Sequence, residues 1–363
     1  MKKGKTPGPD GISLEFYLIF YNNIKHLLLD ALNYTYLQAD HDPILFNGVI
    51  TLCFKKGNPA DIQNYRPISL LDVDYKLLNK ILNERLKNSL NHLISPLQRH
   101  YNHTASITLR DINYLAQRST TASYLIRLDF KKAFDSIEYN WLNLVLQHQK
   151  FPHTFRKYIT QIQYHAASQI KVNKSITDSI PINKGVRQGD PLSPTLFLLA
   201  LNPLITHIQA NNSISPVPNP TKNPPKLTAY ADDITLTISN PLSLKEALKT
   251  ITLFQKASGL KLNPTKTTGV AINKRLDITT DYNIQWHPDC INPLNITIDS
   301  PPAIMSTWNR NIKTLQKTAT NLSHPYATYD LKSTLTKLSC PLIFPILPIT
   351  TPYPKQKLNK STA

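Results

Sequence analysis

Two adjacent aspartates, set between two short alternating segments, constrain the fold of this chain more than any other feature. The tetrad YADD occupies residues 230–233, and apolar residues alternate with polar ones before it (226–229) and after it (234–239). A period of two is typical of β-strands, so the pattern predicts a β-hairpin whose bend carries Asp232 and Asp233. Neighbouring carboxylates repel each other, and a divalent cation would offset that repulsion. Taken alone, a solvated Asp-Asp turn is the simpler interpretation.

A third carboxylate follows a predicted strand earlier in the chain. Residues 123–128 read SYLIRL, which favours a strand, and Asp129 comes directly after them. If this strand lies beside the hairpin, the three aspartates build a site for two metal ions about 4 Å apart, which suits phosphoryl transfer. Asp135 has Glu138 three residues later. That spacing is typical of a helix N-cap with a capping box, so we predict a structural role for Asp135.

The segment KGVRQGDPLSP at 184–194 lies between these carboxylates. Ser193, with a proline after it, predicts the N-cap and first turn of a helix over 195–201. Gly185 and Gly189 would let the backbone approach a ligand closely, and the chain has only 9 glycines in 363 residues. Considered by itself, the segment is an ordinary basic loop that enters a buried helix.

Further helices are predicted outside these segments. Apolar residues at helical spacing favour a helix from 14 to 31 capped by Ser13, a second from 77 to 90 and a third from 247 to 254. Residues 211–226 are rich in asparagine and proline, so we expect a loop there.

Three segments resemble motifs A, B and C of the reverse transcriptases of non-LTR (LINE-type) retrotransposons, in the family's order: LDFKKAFD at 128–135, GVRQGDPLSP at 185–194 and YADD at 230–233. The resemblance extends to KTPGPDGI at 5–12, KKG at 55–57, NYRPISL at 64–70 and SGLKLNPTK at 258–266. The tetrad alone is a weak signal, whereas the ordered series is specific. It implies an α+β fold of the right-hand polymerase type, with helical fingers, a palm containing a small antiparallel β-sheet, and a helical thumb.

The resemblance also implies domain boundaries. The fingers and an N-terminal helical segment would occupy residues 1–122, and the palm with motifs A to D would occupy 123–275. A connector, a thumb-like helical segment and an irregular tail would follow in 276–363. Apolar residues from Trp308 to Leu322 line one face of a helix, which suits a thumb and equally suits an ordinary amphipathic surface helix.

The matched positions carry the family's metal-binding roles. Asp129, Asp232 and Asp233, with the backbone carbonyl of Phe130, would bind two Mg²⁺ ions, for which Mn²⁺ is a possible substitute. Phe134 matches the aromatic position beneath the incoming sugar, where its ring would exclude a 2′-hydroxyl. From the pattern alone, Phe134 is equally well explained as a core aromatic in a first helical turn.

The nucleotide-binding roles carry over in the same way. Gln188 and Gly189 match positions beside the nucleotide. Lys55 and Arg66 match fingers residues that hold its triphosphate, a task that suits fixed cations and bidentate donors. As isolated residues, both would be solvated surface charges. Lys266 matches a lysine of motif D and is a possible general acid for the departing pyrophosphate.

The reaction that the resemblance implies is RNA-templated DNA synthesis. The partners would be an RNA template, a DNA primer and deoxynucleoside triphosphates. Lysine and arginine number 41 against 23 acidic residues, a net charge of +18. Such an excess suits a protein that follows a nucleic-acid backbone, although a basic protein without a special partner would share it.

The segment HYNHTAS at 100–106 departs from the family, in which GFxPGRS is usual. Thr104 would strain a backbone that needs a positive φ, and Ala105 removes a cation. The match also begins inside the family's polymerase region and ends soon after the thumb. We therefore expect a core truncated at both ends. A catalytically inactive remnant that binds RNA or an RNA–DNA hybrid is the main alternative.

Other classes fit less well. An intron-encoded reverse transcriptase that assists splicing would require a basic domain after the thumb, and Phe134 disfavours an RNA-synthesising polymerase. The three cysteines lie far apart, which supports neither a disulfide framework nor a zinc site. No signal-peptide pattern follows Met1, and no apolar tract is long enough to cross a membrane. We expect a soluble protein inside the cell, in the nucleus or the cytoplasm.

Overall fold

The computed structural model describes residues 1–38, 43–98, 102–173, 175–219, 223–272, 284–287, 290–291 and 298–299. The α-helices are α1 Leu14–Ile19, α2 Tyr21–Leu37, α3 Val73–Leu93, α4 Asn102–Arg118, α5 Ala133–Ser136, α6 Tyr139–His148, α7 His153–His165, α8 Ser193–Ala210 and α9 Pro241–Ser258. The strands are β1 Asn47–Phe54, β2 Tyr65–Leu71, β3 Ser123–Leu128, β4 Ala167–Val172, β5 Ser175–Ile176, β6 Ile180–Pro181, β7 Leu227–Tyr230, β8 Asp233–Ile238, β9 Thr268–Ile272, β10 Gln285–Trp286, β11 Cys290–Ile291 and β12 Ile298–Asp299. None of the helices within these residues is long and apolar enough to cross a membrane.

Two sheets organise the described residues. The central sheet has the order β10-β9-β3-β8-β7, and β3 pairs antiparallel with both β8 and β9. The second sheet has the order β2-β1-β4-β5, with β6 paired to β4; β1 runs antiparallel to β2 and parallel to β4. β11 and β12 form a separate pair. Most strand pairs in both sheets are antiparallel, with helices interspersed along the chain, as in an α+β fold, so the predicted class is confirmed.

The predicted strand and hairpin are both present in the central sheet. β3 spans the predicted residues 123–128, and β7 and β8 form an antiparallel hairpin in which Tyr230 pairs with Asp233. Ala231 lies in the bend with a φ of 51°. That left-handed conformation reverses the chain and projects Asp232 from the end of the hairpin.

Helix α8 forms the centre of the hydrophobic core and is buried along most of its length. It packs against α6, α9 and β7. Trp141 of α6 donates its indole N–H to the carbonyl oxygen of Ala200 at 2.9 Å. Each large apolar side chain buried in this way contributes about 1.5–3 kcal/mol, so the hairpin is supported by a rigid layer.

The start of α8 differs from the prediction. Ser193 lies inside the first turn instead of at the N-cap, and the Asp190 carboxylate accepts the backbone N–H of Leu192 at 2.9 Å. The helix also continues nine residues beyond the predicted end at 201. The apolar pattern persists there, with Leu204 and Ile208 both buried.

The predicted capping role of Asp135 is wrong. Asp135 lies inside α5, and α6 begins after Glu138, whose side chain makes no capping hydrogen bond with the described residues. Two helices, separated by the extended residues Ile137 and Glu138, replace the single capped helix that the spacing suggested.

The predicted helix from 14 to 31 is interrupted at Phe20, which separates α1 from α2. No residue of either helix is fully buried by the described part of the chain, whereas Leu14, Tyr17, Ile24 and Leu28 of the apolar set are half-buried. The helices at 77–90 and 247–254 are confirmed and extend further, as α3 and α9. Residues 211–226 contain no helix or named strand among those described, as predicted.

The segment with the altered 100–106 sequence is helical from Asn102 onward, as part of α4. Thr104 therefore has helical backbone angles, and the predicted strain is wrong. The buried residues Leu109, Ile112 and Ala116 follow one another at helical spacing, which explains why this segment forms a helix. The predicted thumb helix at 308–322 lies outside the described residues, and the boundaries at 122 and 275 stay predictions.

Candidate active site

The end of β3 and the bend of the hairpin bring three aspartates into one region. Leu128, the last residue of β3, pairs with Ile234 of β8. Asp129 follows Leu128 and Asp233 precedes Ile234, so these two residues lie opposite each other at the same end of adjacent strands. The register of two antiparallel strands therefore brings Asp129 and Asp233 together, beside the bend that carries Asp232, and metal binding by the three aspartates stays a prediction.

The environment of Asp232 raises the pKa of its carboxyl group. Although the residue as a whole is exposed at the bend, surrounding protein atoms desolvate its carboxyl group and raise the pKa. The carboxylates of Asp233 and Asp129 raise the pKa of Asp232 further, and the ammonium group of Lys55 lowers it. Concentrated negative charge of this kind favours a bound cation.

Asp233 has a cationic partner within the protein. Arg127 donates its Nε–H to Oδ1 of Asp233 at 2.9 Å and an Nη2–H to Oδ2 at 3.2 Å. Both side chains are partly shielded from solvent. A bidentate pair of this type is stronger and more directional than a single contact.

The residues present fit a magnesium site built on Asp129 and Asp232. In the described part of the chain, no three His, Cys, Asp or Glu side chains form a cluster arranged to hold a metal ion. The donor chemistry nevertheless fits, because carboxylate and carbonyl oxygens are the ligands that Mg²⁺ prefers, and it often takes just one or two carboxylates from the protein. Phe130 follows Asp129 directly, and its backbone is bridged to Leu262.

The loop between α9 and β9 is fastened to the backbone around Asp129. Asn263 donates its backbone N–H to the carbonyl oxygen of Asp129 at 2.7 Å, and Lys131 donates to the carbonyl oxygen of Lys261 at 2.8 Å. Lys266 is exposed on this loop, and its backbone N–H donates to the carbonyl oxygen of Asn263 at 3.2 Å. The predicted general acid thus lies on a loop joined to the predicted metal ligand.

The glycines of the 184–194 segment serve close packing within the protein. Gly185 has a φ of 86°, and a Cβ there would lie 2.7 Å from the Asp135 backbone. Gly189 has a φ of 126°, and a Cβ there would collide with the carbonyl oxygen of Ser69. Glycine is therefore needed at both positions because the backbone packs closely against α5 and β2. The sequence had suggested instead that these glycines let the backbone approach a ligand.

A buried hydrogen-bond network holds the 184–194 segment in place. Tyr75 donates its hydroxyl to the Asp190 carboxylate at 2.8 Å, and Asn79 donates its amide to it at 2.8 Å. Arg187 donates to the Tyr75 hydroxyl at 2.7 Å and to the carbonyl oxygen of Phe46 at 2.6 Å. The network joins the segment to α3 and to the chain before β1, so the position of Gln188 is set by buried contacts.

Gln188 borders a cavity of about 370 Å³ between the 184–194 segment and the strands β1, β2 and β4. Its side-chain amide donates to Oδ1 of Asp135 at 3.3 Å. Burial raises the pKa of Asp135, and this hydrogen bond opposes the rise. A cavity of this size admits a small-molecule ligand beside Gln188.

Phe134 is half-buried in α5 and packs against the core. Its ring stacks on that of Phe197 in α8, with centroids 4.4 Å apart and an interplanar angle of 14°. One face of Phe134 is therefore a core contact, as the structural alternative predicted. Phe134 lies five residues after Asp129, and this contact holds one face of its ring against α8.

Lys55 and Arg66 lie at one end of the β1–β2 pair. Lys55 follows β1 directly, and its backbone N–H donates to the carbonyl oxygen of Asn64 at 2.8 Å. Arg66 pairs with Cys53 across the two strands. Both cationic side chains are exposed, and Lys55 acts electrostatically on Asp232. The end of β1 thus carries a cation within electrostatic reach of Asp232, and Arg66 lies on the strand paired with β1.

Sequence reasoning missed Arg127 and the Asp190 network. A signal for Arg127 was available, since a charged residue interrupts an otherwise apolar strand two positions before Asp129. No comparable signal existed for Asp190, because Tyr75 and Asn79 are more than 100 residues away in the sequence.

Comparison with known proteins identifies the family of the chain. Residues 54–322 match the model of the family described as "Reverse transcriptase (RNA-dependent DNA polymerase)". The chain is 30% identical over 275 residues to the "Transposon TX1 uncharacterized 149 kDa protein" of Xenopus laevis, covering 74% of the chain and 21% of that protein. It is 28% identical over 277 residues to the "Retrovirus-related Pol polyprotein from type-1 retrotransposable element R2" of Popillia japonica, covering 74% of the chain and 38% of that protein. The chain thus spans well under half the length of these relatives.

A solved structure shares the fold. Telomerase from Candida tropicalis, in a complex with a TWJ fragment of telomeric RNA, superposes with a TM-score of 0.52 at 15% identity, covering 89% of this chain and 57% of that chain. The fold is the right-hand polymerase fold of reverse transcriptases. On the extent of the family match, this chain belongs to the reverse transcriptase (RNA-dependent DNA polymerase) family, in the form found in non-LTR retrotransposons.

Proposed function

We propose that the chain is a catalytic core for RNA-directed DNA synthesis, extending a DNA primer along an RNA template. The observation that carries the proposal is the strand register, which sets Asp129 at the end of β3 opposite Asp233 and beside the hairpin bend that carries Asp232. Two carboxylates from separate strands, with Lys55 acting on the same region, suit a reaction at a polyanionic substrate. The net charge of +18 supports binding to nucleic acid, and the family match supports the choice of reaction.

Asp129, Asp232 and the carbonyl of Phe130 would hold the metal ions, with Asp233 beside them. Bound Mg²⁺ would lower the pKa of the primer 3′-hydroxyl and neutralise charge on the pyrophosphate that leaves. The carboxylates orient the site, since their positions are fixed by the strand register. The loop that carries Lys266 is hydrogen-bonded to the Asp129 backbone, and Lys266 would donate a proton to the departing pyrophosphate from this loop.

The nucleotide would be held by residues from two sides. Lys55 and Arg66 suit the triphosphate, because both are exposed cations on paired strands. Gln188 and Gly189 would lie beside the sugar and base, in a segment already fixed by buried contacts. Phe134 would exclude a 2′-hydroxyl, and its stacking on Phe197 holds one face of the ring against α8.

Primer extension on an RNA template tests this proposal. The wild-type chain, Asp232→Asn and the matched surface variant Asp30→Asn are compared with Mg²⁺ and deoxynucleotides. Asp30 is exposed on α2, so its change removes the same charge elsewhere. We expect Asp232→Asn to reduce extension by about 100-fold or more, and Asp30→Asn to leave it unchanged.

Binding to the primed template is measured on the same three proteins. Asp232→Asn should bind as tightly as the wild type, because neutralising an aspartate removes no contact to phosphate. Extension that survives in Asp232→Asn would refute the metal-site assignment. No extension by the wild type, together with salt-sensitive binding, would instead identify an inactive protein that binds nucleic acid.

A further inference from the structure

We propose that Arg127 is a positioning residue that keeps Asp233 out of the set of metal ligands, so that Asp129 and Asp232 alone supply the carboxylates. This inference rests on the proposed function and refines its metal site. The sequence treats the three aspartates as equivalent. In this proposal, Asp129 and Asp232 bind a cation from solution, whereas Asp233 is paired with a cation of the protein, Arg127.

The strand register places the two partners together. Arg127 pairs with Thr235 across β3 and β8, and Asp233 lies two residues before Thr235. Side chains two residues apart on a strand point to the same face, so Arg127 and Asp233 are diagonal neighbours on one face of the sheet. Neither side chain has to leave its strand to form the pair.

The pair occupies both oxygens of Asp233. One guanidinium nitrogen contacts Oδ1 at 2.9 Å and another contacts Oδ2 at 3.2 Å. By contrast, neither Asp129 nor Asp232 forms an ion pair with any described residue. Arg127 acts on Asp129 and Asp232, and Lys55 acts on Asp232, only through space and without an ion-pair contact, so a cation from solution can bind these two carboxylates without displacing a protein cation.

Metal binding at Asp233 would face two obstacles. The carboxylate would have to exchange two charge-assisted hydrogen bonds for a metal bond, and the guanidinium charge would repel the arriving ion. An arginine side chain keeps its charge throughout the pH range of an assay, so the ion pair is not broken by deprotonation of Arg127. Held in this way, Asp233 keeps a fixed place while Asp129 and Asp232 stay available to the metal.

The test measures Mn²⁺ binding to the chain, using the electron paramagnetic resonance signal of free Mn²⁺ in a titration. It needs no substrate and no turnover. The single variants are Asp129→Asn, Asp232→Asn, Asp233→Asn, Arg127→Met and Arg127→Lys, and the double variant joins Arg127→Met to Asp233→Asn. Circular dichroism melting of each protein shows whether it is folded.

We expect Asp129→Asn and Asp232→Asn each to weaken Mn²⁺ binding at least tenfold, and Asp233→Asn to change it less than twofold. Arg127→Met should tighten binding about threefold or more, because it frees Asp233 and removes a repelling charge. In that background Asp233→Asn should then weaken binding. Arg127→Lys should lie between the wild type and Arg127→Met, since lysine restores the charge without the two-pronged contact.

Two results would overturn the inference alone: Asp233→Asn weakening Mn²⁺ binding as much as Asp129→Asn does, or Arg127→Met leaving the affinity unchanged. In either case, weaker Mn²⁺ binding by Asp129→Asn and Asp232→Asn would still support the assignment of the metal site to these two residues. If the wild type binds no Mn²⁺, or if neither Asp129→Asn nor Asp232→Asn weakens binding, the metal site itself is wrong and the inference fails with it.

Discussion

The backbone N–H of Ser69 donates a hydrogen bond to the carbonyl oxygen of Gln188 at 2.7 Å. This bond joins β2, which carries Arg66, to the segment that carries Gln188. The residues proposed for the triphosphate and those proposed for the sugar and base therefore belong to one hydrogen-bonded unit. Its geometry depends on Gly189, because the chain passes directly over the carbonyl oxygen of Ser69 at that residue.

We predict that Gly189→Ala lowers the free energy of unfolding by about 2 kcal/mol or more, since it combines an unfavourable φ with a steric collision. Gly11→Ala is the matched control. Gly11 also has a positive φ, 72°, but a Cβ there would meet nothing within 4 Å, so a loss of about 1 kcal/mol is expected. Urea denaturation measures both. Equal losses would show that the contact with Ser69 imposes no constraint.

The buried network predicts a large effect from a small substitution. Asp190→Asn keeps the shape of the side chain but removes the carboxylate that, through Tyr75, compensates the buried guanidinium of Arg187. We expect a loss of about 3 kcal/mol in unfolding free energy, typical of a buried charge left without its counter-charge. Glu84→Gln, which breaks exposed ion pairs on α3, should cost under about 1 kcal/mol. Similar losses for both variants would contradict the role given to Asp190.

We predict that Phe134 sets the selectivity for deoxyribonucleotides over ribonucleotides. Phe134→Ala should raise the relative incorporation of ribonucleotides by about tenfold or more, because it removes the ring proposed to exclude the 2′-hydroxyl. Competition kinetics with paired nucleotides measure the ratio. The control is Phe16→Ala, which alters an exposed ring on α1. A ratio that stays constant in Phe134→Ala would restrict the residue to its core contact with Phe197.

We predict that the free energy of unfolding depends on pH through the titration of Asp72. Burial raises the pKa of Asp72 from 3.8 to about 6; the backbone N–H of Asp10 opposes this, and the carboxylates of Asp10 and Asp74 reinforce it. Lys76 and Tyr17 also lie within electrostatic reach of Asp72. Because the folded chain binds this proton more tightly than the unfolded chain, the associated stability is present at low pH. It is lost as the pH rises from about 4 to about 6.

Asp72→Asn removes this titration. Relative to the variant, the wild type should lose about 1 kcal/mol of unfolding free energy between pH 4 and pH 6. Chemical denaturation at several pH values measures the difference. A difference between wild type and Asp72→Asn that does not change with pH would contradict the assigned pKa.

The elements built on local periodicity were predictable from the sequence. The period-two pattern around 230–233 and the strand before Asp129 both correspond to observed strands, since alternation directly reports one buried face. Helix bounds were less predictable. Burial of the apolar residues after 201 extends α8, and the fold places Asp135 inside a single turn that its spacing to Glu138 did not reveal.

Contacts between residues far apart in the sequence could not be predicted from local sequence patterns. The ion pair between Arg127 and Asp233 depends on the register of β3 against β8, which no segment encodes by itself. The helix at 102–118 likewise removes the strain that was predicted for a positive φ at Thr104. Buried residues such as Leu109 and Ile112 decide that conformation, whereas the prediction weighed only the missing glycines.

Replacement of one metal ligand by a softer one tests the central claim most directly. Asp232→Cys is assayed for RNA-templated primer extension with Mg²⁺ and with Mn²⁺, beside Asp30→Cys and the wild type. Mg²⁺ disfavours sulfur ligands, so we expect extension by Asp232→Cys to be lost with Mg²⁺ and partly restored with Mn²⁺, while both controls work with either ion. If Asp232→Cys extends the primer with Mg²⁺ as fast as the wild type, Asp232 does not hold the metal and the account is wrong.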